Sequence, residues 1–172
     1  MNTEKLRIGE KIRGDLLEFA RLVVDQQYKV QPHLWERYGE RGYQKCVEDT
    51  QAHLAYLAEA VSSDDVLLFV DYVRWAGEML QAFNVPRDDF AANLLATRSV
   101  LEEHFSSEEL LHLNTFLSAG LAVLTAELRA QHSYLDRHAP LGELALEYLD
   151  ALLNADRKAA SKLIMNEVAA GT

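Results

Sequence analysis

The stretch Val66-Leu-Leu-Phe-Val-Asp-Tyr-Val-Arg-Trp-Ala-Gly-Glu-Met-Leu-Gln-Ala-Phe83 decides the fold class. Apolar side chains lie on almost every side of this segment when it is drawn as a helix, and no proline interrupts it. The segment Leu110–Leu128 has the same character. A helix that is apolar nearly all round is covered by other helices or by a partner subunit. These two segments therefore predict the central helices of an all-α protein.

Helical periodicity continues on both sides of these segments, and no segment alternates polar and apolar residues with a period of two. Ser62-Ser-Asp-Asp65 has the composition of a helix N-cap, and Ser106-Ser-Glu-Glu109 matches a capping box. The predicted helices run approximately over Gly9–Val30, Pro32–Tyr38, Gly42–Val61, Val66–Phe83, Pro86–Phe105 and Ser106–His132. This order predicts a multi-helix bundle of five or six helices, for which a globin-like packing and an irregular orthogonal packing fit equally well.

A second region follows Ala139-Pro140. Two amphipathic segments flank an Asn154-Ala-Asp156 turn, which predicts a C-terminal helical hairpin. We therefore divide the chain into a bundle over residues 1–138 and a hairpin over residues 139–172. Because a lone pair of short helices has little to pack on, we expect the hairpin to be the front part of a larger domain.

Composition excludes several classes of function. A formal net charge of −10 and a pI near 5.0 disfavour nucleic-acid binding and docking on anionic lipid, both of which need a basic surface. The single Cys46 excludes an internal disulfide and fits a reducing compartment. No apolar run reaches the ~18–20 residues of a membrane span, and the N-terminus lacks a signal-peptide core. We expect a cytoplasmic protein.

The densest group of reactive side chains lies on one predicted helix. Cys46, Asp49, His53 and Tyr56 are spaced by three, four and three residues, so they share one helical face. An Asp49–His53 pair could orient the imidazole toward a haem iron or a linear tetrapyrrole, and Cys46 could attach a chromophore covalently. The alternative interpretation is a structural Asp–His hydrogen bond at the edge of the core, with Cys46 packed as a small apolar side chain.

Other candidate residues are more isolated. Glu109-Leu-Leu-His112 has the Glu-x-x-His spacing of helical di-iron sites, but those need a second copy of the motif, and the capping box already explains Glu109. We therefore predict no metal site, and keep His112 as a second residue that could contact a chromophore. Trp75 could line a pocket, although tryptophan at such a position is typical of a core or an interface. No catalytic motif is present, which favours a non-enzymatic role.

Two parts of the chain resemble regulators that contain a cobalamin-binding domain, including light-sensing B12 photoreceptors. The segment from Tyr148 to Gly171 resembles the first helices of the helical cap that precedes the cobalamin domain in that family. Tyr43…Cys46-Val-Glu-Asp49…His53-Leu-Ala-Tyr56-Leu-Ala-Glu-Ala60, followed by Phe69-Val-Asp-Tyr-Val-Arg-Trp75, is similar to the helical sensor modules placed before such domains. The resemblance implies a sensory module that passes a signal to a neighbouring domain. Some relatives pair cobalamin with a bilin, which makes the helices around His53 and Trp75 a candidate pocket.

The chain also departs from the family. The Asp-x-His-x-x-Gly loop that supplies a histidine to cobalt is missing, as is the Trp-rich, Glu-His segment that covers the corrin. The resemblance therefore implies cobalamin binding only if residues beyond 172 exist.

Three functional interpretations stay open. The first is a regulatory module that signals through helix packing or dimerisation, and the second is a bilin- or haem-binding sensor that uses the pocket around His53. The third is a ligand-free dimerisation bundle. An incomplete cap would expose apolar hairpin side chains, so we expect a homodimer. The hairpin residues concerned are Leu149, Leu152, Leu153, Leu163 and Ile164.

Overall fold

The computed structural model describes residues 3–126 and 135–170, and these residues form α-helices without any strand. The prediction of an all-α multi-helix bundle with a C-terminal hairpin is confirmed. The described helices are α1 (Thr3–Gly14), α2 (Leu16–Val30), α3 (His33–Ser63), α4 (Val66–Ala82), α5 (Arg87–His104), α6 (Ser107–Thr125), α7 (Gly142–Leu153) and α8 (Arg157–Ala170). They belong to two compact units, one within residues 1–126 and the other within residues 127–172.

The helix starts predicted from capping residues are confirmed. The Asp65 carboxylate accepts hydrogen bonds from the backbone N–H groups of Leu67 and Leu68 at the start of α4. Ser106 and Glu109 form the reciprocal capping box at the start of α6. These side chains satisfy backbone donors that the first helical turn leaves unpaired.

The boundaries differ from prediction in three places. The first predicted helix is two helices, because the backbone is not helical at Asp15, directly after Gly14. The second and third predicted helices are joined in α3, with a kink at Gly39, where φ is +59° and ψ is −165°. A side chain at Gly39 would be strained in this conformation. α6 ends at Thr125 because Ala126 is extended, and the rest of the helix predicted to His132 lies outside the described residues.

The central helix of the first unit is α3, which packs on α1, α2, α4 and α6. The other helices do not cover α4 on all sides, because Leu67 and Trp75 of α4, and Phe83 directly after it, are exposed in this unit. α4 and α6 nevertheless approach closely. A Cβ atom on Gly120 would lie 2.8 Å from the Phe69 ring, so only glycine permits this spacing without a shift of the ring.

The second unit contains the predicted hairpin. α7 and α8 pack on each other, and the connection contains Ala155 with a φ of +54°, inside the predicted turn. Ala151 and Ala160 are buried within this unit. Most large apolar side chains of the hairpin are exposed: Leu149, Leu152, Leu153, Ile164, Met165 and Val168.

Candidate functional site

A cavity of about 140 Å³ lies in the first unit, where α2, α3 and α5 meet. Leu80 of α4 and Val85, which follows it, complete the wall. The remaining lining residues are mostly aromatic or polar: Gln27, Tyr28, Leu34, Tyr38, Gly42, Lys45, Cys46, Asp49, His53, Asp89, Phe90 and Asn93. Three residues that the sequence singled out, Cys46, Asp49 and His53, therefore meet at this cavity.

One side of the cavity is a buried hydrogen-bond network centred on Gln27. Its side-chain N–H group donates to the backbone carbonyl of Asp89 at 2.8 Å. Because a carbonyl oxygen can only accept, this bond fixes the orientation of the Gln27 amide. The Gln27 Oε1 atom therefore faces Asn93, whose Nδ2 group donates to it at 2.9 Å and to Thr50 Oγ1 at 2.9 Å.

The Oδ1 atom of Asn93 is buried and has no hydrogen-bond partner. The orientation of the amide is determined, since Nδ2 must face Gln27 Oε1. Asn93 is only 3% exposed, so its amide is largely shielded from bulk solvent. A buried acceptor left without a partner costs about 1–3 kcal/mol. Asn93 is one of the lining residues, so an unsatisfied acceptor belongs to a side chain of the cavity wall.

Cys46 belongs to the same network but is not a reactive thiol. Its Sγ atom lies 3.7 Å from Gln27 Oε1, to which the thiol donates, and 3.9 Å from Asn93 Nδ2. Burial raises the pKa of Cys46 to about 11, so the thiol is neutral at physiological pH. Because the thiolate is the nucleophile, this environment does not promote covalent attachment of a chromophore.

His53 is oriented by a tyrosine rather than by Asp49. Its Nδ1 atom lies 2.7 Å from the hydroxyl of Tyr72, and its ring lies 4.6 Å from that of Phe90, centroid to centroid. Burial lowers the pKa of His53 to about 3, so the imidazole is neutral at physiological pH. The Asp49 carboxylate instead pairs with Lys45 Nζ at 3.1 Å.

The other sequence-predicted site residues lie outside the cavity wall. Tyr56 is half-exposed and stacks on the Tyr72 ring, with centroids 3.8 Å apart. Trp75 is exposed, with its ring 6.0 Å from that of Tyr72. His112 lies on α6, where its Nε2 atom is 3.7 Å from the Glu4 carboxylate of α1. Tyr56 and Trp75 thus contact Tyr72, whose hydroxyl lies against His53.

The sequence reasoning missed the α5 side of the site. Asp89, Asn93 and Thr97 are all buried and are spaced by four residues, so they form one polar stripe on an inward helical face. The four-residue spacing of these polar side chains was visible in the sequence. Polar side chains that are buried on one helical face often mark a hydrogen-bond network. The signal was hidden because nothing in the sequence showed which face of α5 points inward.

The segment before the Gly39 kink covers one edge of the cavity. Leu34 and Tyr38 of this segment line the wall. Arg37 Nη2 donates to the backbone carbonyl of Asn84 at 3.1 Å, and the Trp35 ring stacks on that of Tyr43 with centroids 5.2 Å apart. The contacts with Asp89 are longer: Arg37 Nη1 is 3.7 Å from a carboxylate oxygen, and the Tyr38 hydroxyl donates to the same oxygen at 3.4 Å. Hydrogen bonds at this distance are weak, so the contact of the His33–Tyr38 segment with Asp89 contributes little to holding it.

Within residues 3–126 and 135–170, no three His, Cys, Asp or Glu side chains lie close enough to hold a metal ion. The helices of the described part of the chain include none that is both long and apolar enough to cross a lipid bilayer.

The sequence matches no protein-family model, and no curated protein shows a significant match to it. The resemblance to cobalamin-dependent regulators therefore stays a prediction made from sequence patterns.

Proposed function

We propose that the first unit is a non-catalytic regulatory module that binds a small molecule in the cavity between α2, α3 and α5. The observation that carries this proposal is the cavity wall itself, in which the Asn93 acceptor has no partner. Native cores are packed with few voids larger than a water molecule. A partly open cavity of about 140 Å³, lined by apolar, aromatic and a few polar side chains, has the character of a small-molecule site.

The protonation states at the cavity support binding rather than catalysis. An efficient general acid or base has a pKa near the working pH. Burial moves the pKa of Cys46 up to about 11 and that of His53 down to about 3, both far from neutrality. Burial also raises the pKa of Tyr28 to about 12. These groups therefore present fixed hydrogen-bonding surfaces to a ligand.

The His33–Tyr38 segment supplies a means of signalling. It joins the rest of α3 through the Gly39 kink and contacts the cavity through Leu34 and Tyr38. A ligand that contacts these side chains would bias the angle at Gly39. Such a hinge, biased by occupancy, is a common element of switching proteins. Because α3 also packs on α1, α4 and α6, a change in its packing would spread through the unit.

The recipient of the signal is proposed to be a second copy of the chain or a neighbouring domain. Exposed apolar side chains are present in both units, including Leu67 and Phe83 in the first and Leu153 and Met165 in the second. Exposed large apolar side chains are available for contact with a partner, and several of them lie close together in sequence in the hairpin. The sequence resemblance favours a cobalamin-binding domain as the neighbour.

The proposal is tested by hydrogen exchange and light scattering on the full chain, with benzene as a generic probe of the cavity. Binding of benzene should slow amide hydrogen exchange in residues 33–53 and 89–97. It should also change either the oligomer mass measured by light scattering or the rate of amide exchange in helices away from the cavity. Val85→Phe, which places a ring at the cavity wall, should abolish the response. Val30→Phe, the same change at an exposed position, should preserve it. Saturable binding without any effect beyond the cavity residues would contradict a regulatory role.

A bilin- or haem-binding sensor is the second candidate function, favoured by the presence of His53 and Cys46 at one cavity. The cavity volume of about 140 Å³ disfavours tetrapyrrole binding, since pockets for ligands of that size begin at about 300 Å³. A tetrapyrrole would require the His33–Tyr38 segment to move outward. Visible absorbance titration with biliverdin and haem tests this: a saturable red-shifted or Soret band that His53→Ala weakens would establish the chromophore. Flat spectra with both would reject it.

A further inference from the structure

We infer that the cavity takes an uncharged ligand of one aromatic ring that carries an N–H or O–H group, and that this group donates a hydrogen bond to Oδ1 of Asn93. This inference rests on the proposed function, because it specifies the ligand of the same cavity. It follows from the volume of the cavity, from the aromatic side chains in its wall and from the Asn93 oxygen, which has no hydrogen-bond partner.

The volume sets the size of the ligand. An engineered protein cavity of about 150 Å³ accepts one benzene ring, and the cavity described here measures about 140 Å³. The aromatic side chains of Tyr28, Tyr38, Phe90 and His53 form part of its wall. Aromatic rings pack favourably edge-to-face or offset against one another. A planar ring of about six to nine heavy atoms therefore fits both the space and the surface.

The charges around the cavity exclude an ionic ligand. Lys45 is paired with Asp49, at 3.1 Å. Asp89 accepts hydrogen bonds from Gln31 and Tyr38 and lies 3.7 Å from the Arg37 guanidinium. The neutral imidazole of His53 adds no charge. A charged ligand would lose its hydration without gaining an unpaired counter-charge, which is unfavourable.

The polar group of the ligand must be a donor. Asn93 Nδ2 is used by Gln27 and Thr50, so the amide can offer only its oxygen. Because Asn93 forms part of the cavity wall and its oxygen has no partner, the donor of the ligand is assigned to Oδ1. A water molecule is a weaker occupant, since a buried water usually needs about three hydrogen bonds. The lining residues are largely aromatic or polar, but most of the surface that they present to the cavity is carbon.

The experiment compares phenol with fluorobenzene, which has nearly the same shape but no donor. Affinities for the full chain are measured by calorimetry, and the side-chain amide signal of Asn93 is followed by NMR. Phenol should bind about tenfold more tightly than fluorobenzene, because it makes one additional hydrogen bond to a buried acceptor. Phenol should also shift the Asn93 signal, and benzoate should show no saturable binding.

Two variants provide the matched comparison. Asn93→Leu should bring the phenol-to-fluorobenzene ratio close to one, whatever happens to the two separate affinities. Asn114→Leu should keep the tenfold ratio, because Asn114 Oδ1 is also buried without a partner but lies outside the cavity wall. If Asn93→Leu does not fold, the wild-type ratio and the Asn93 signal decide the question.

The outcomes separate this inference from the proposed function. Equal binding of phenol and fluorobenzene, or tight binding of benzoate, would overturn the ligand class and leave the regulatory module intact. The expected preference without any change in exchange outside the cavity would support the ligand class and contradict the regulatory role. No binding of any probe would overturn both.

Discussion

The burial of His53 predicts a pH-dependent stability that can be worked out from its pKa. An unperturbed histidine has a pKa near 6.5, and burial lowers that of His53 to about 3 in the folded protein. Between these two values the unfolded chain binds a proton that the folded chain does not, so the free energy of unfolding falls as the pH falls. The slope is about 1.4 kcal/mol per pH unit, which gives a loss of about 2 kcal/mol from pH 7 to pH 5.

Urea unfolding of wild type and His53→Leu at pH 7, 6 and 5 measures this contribution. Subtracting the variant from the wild type cancels the other titrating groups, so the difference should fall by about 2 kcal/mol over this range. His53→Gln cannot titrate but keeps a polar group beside Tyr72, and should show the same pH-dependent difference. This variant separates proton binding from loss of the hydrogen bond. A wild-type minus variant difference that stays constant between pH 7 and pH 5 would refute the reasoning.

Three further predictions follow from single contacts. Tyr72→Phe leaves the buried Nδ1 of His53 unpaired and should lower the free energy of unfolding by about 1–3 kcal/mol. Tyr56→Phe, at a half-exposed position, should change the free energy of unfolding by less than about 0.5 kcal/mol. Equal effects of the two substitutions in urea melts would contradict the role of the hydrogen bond. Cys46 should react with a disulfide reagent at pH 8 far more slowly in the folded chain than in the urea-unfolded chain, because burial raises the pKa of its thiol to about 11. Comparable rates in the two states would show that the thiol is accessible and reactive in the folded protein. Gly120→Ala should destabilise the protein by about 1–3 kcal/mol, because the new Cβ atom would meet the Phe69 and Val73 side chains of α4. The Cβ atom of Gly14→Ala would meet nothing within 4 Å, so this variant should be as stable as the wild type or more stable. Thermal melting of both variants measures the difference.

Local signals in the sequence predicted the helical elements well. Asp65 and the Ser106–Glu109 pair act as caps in the structure, because capping depends on neighbours within one turn. The break at Gly14–Asp15 was missed, since the apolar stripe continues across it. Periodicity shows how apolar a helix is, but it does not show which helices cover it.

The site was predicted in part. Cys46, Asp49 and His53 share a helical face, so their meeting at one cavity follows from helix geometry. Tyr72 and Asn93, from two other helices, complete the site, and their sequence distance from His53 carries no sign of proximity. The expected Asp49–His53 pair is replaced by separate partners, because tertiary packing brings the Tyr72 hydroxyl to His53 while Asp49 pairs with Lys45.

The sequence by itself determined the helical class, the main caps, the C-terminal hairpin and the face that carries Cys46 and His53. These features depend on residues that are near each other along the chain. Only the tertiary structure decided that α3 is central, that the cavity exists and that the Asn93 oxygen is unsatisfied. A cavity and an unpaired acceptor are properties of how helices fit together in space, and they arise from side chains that lie far apart in the sequence.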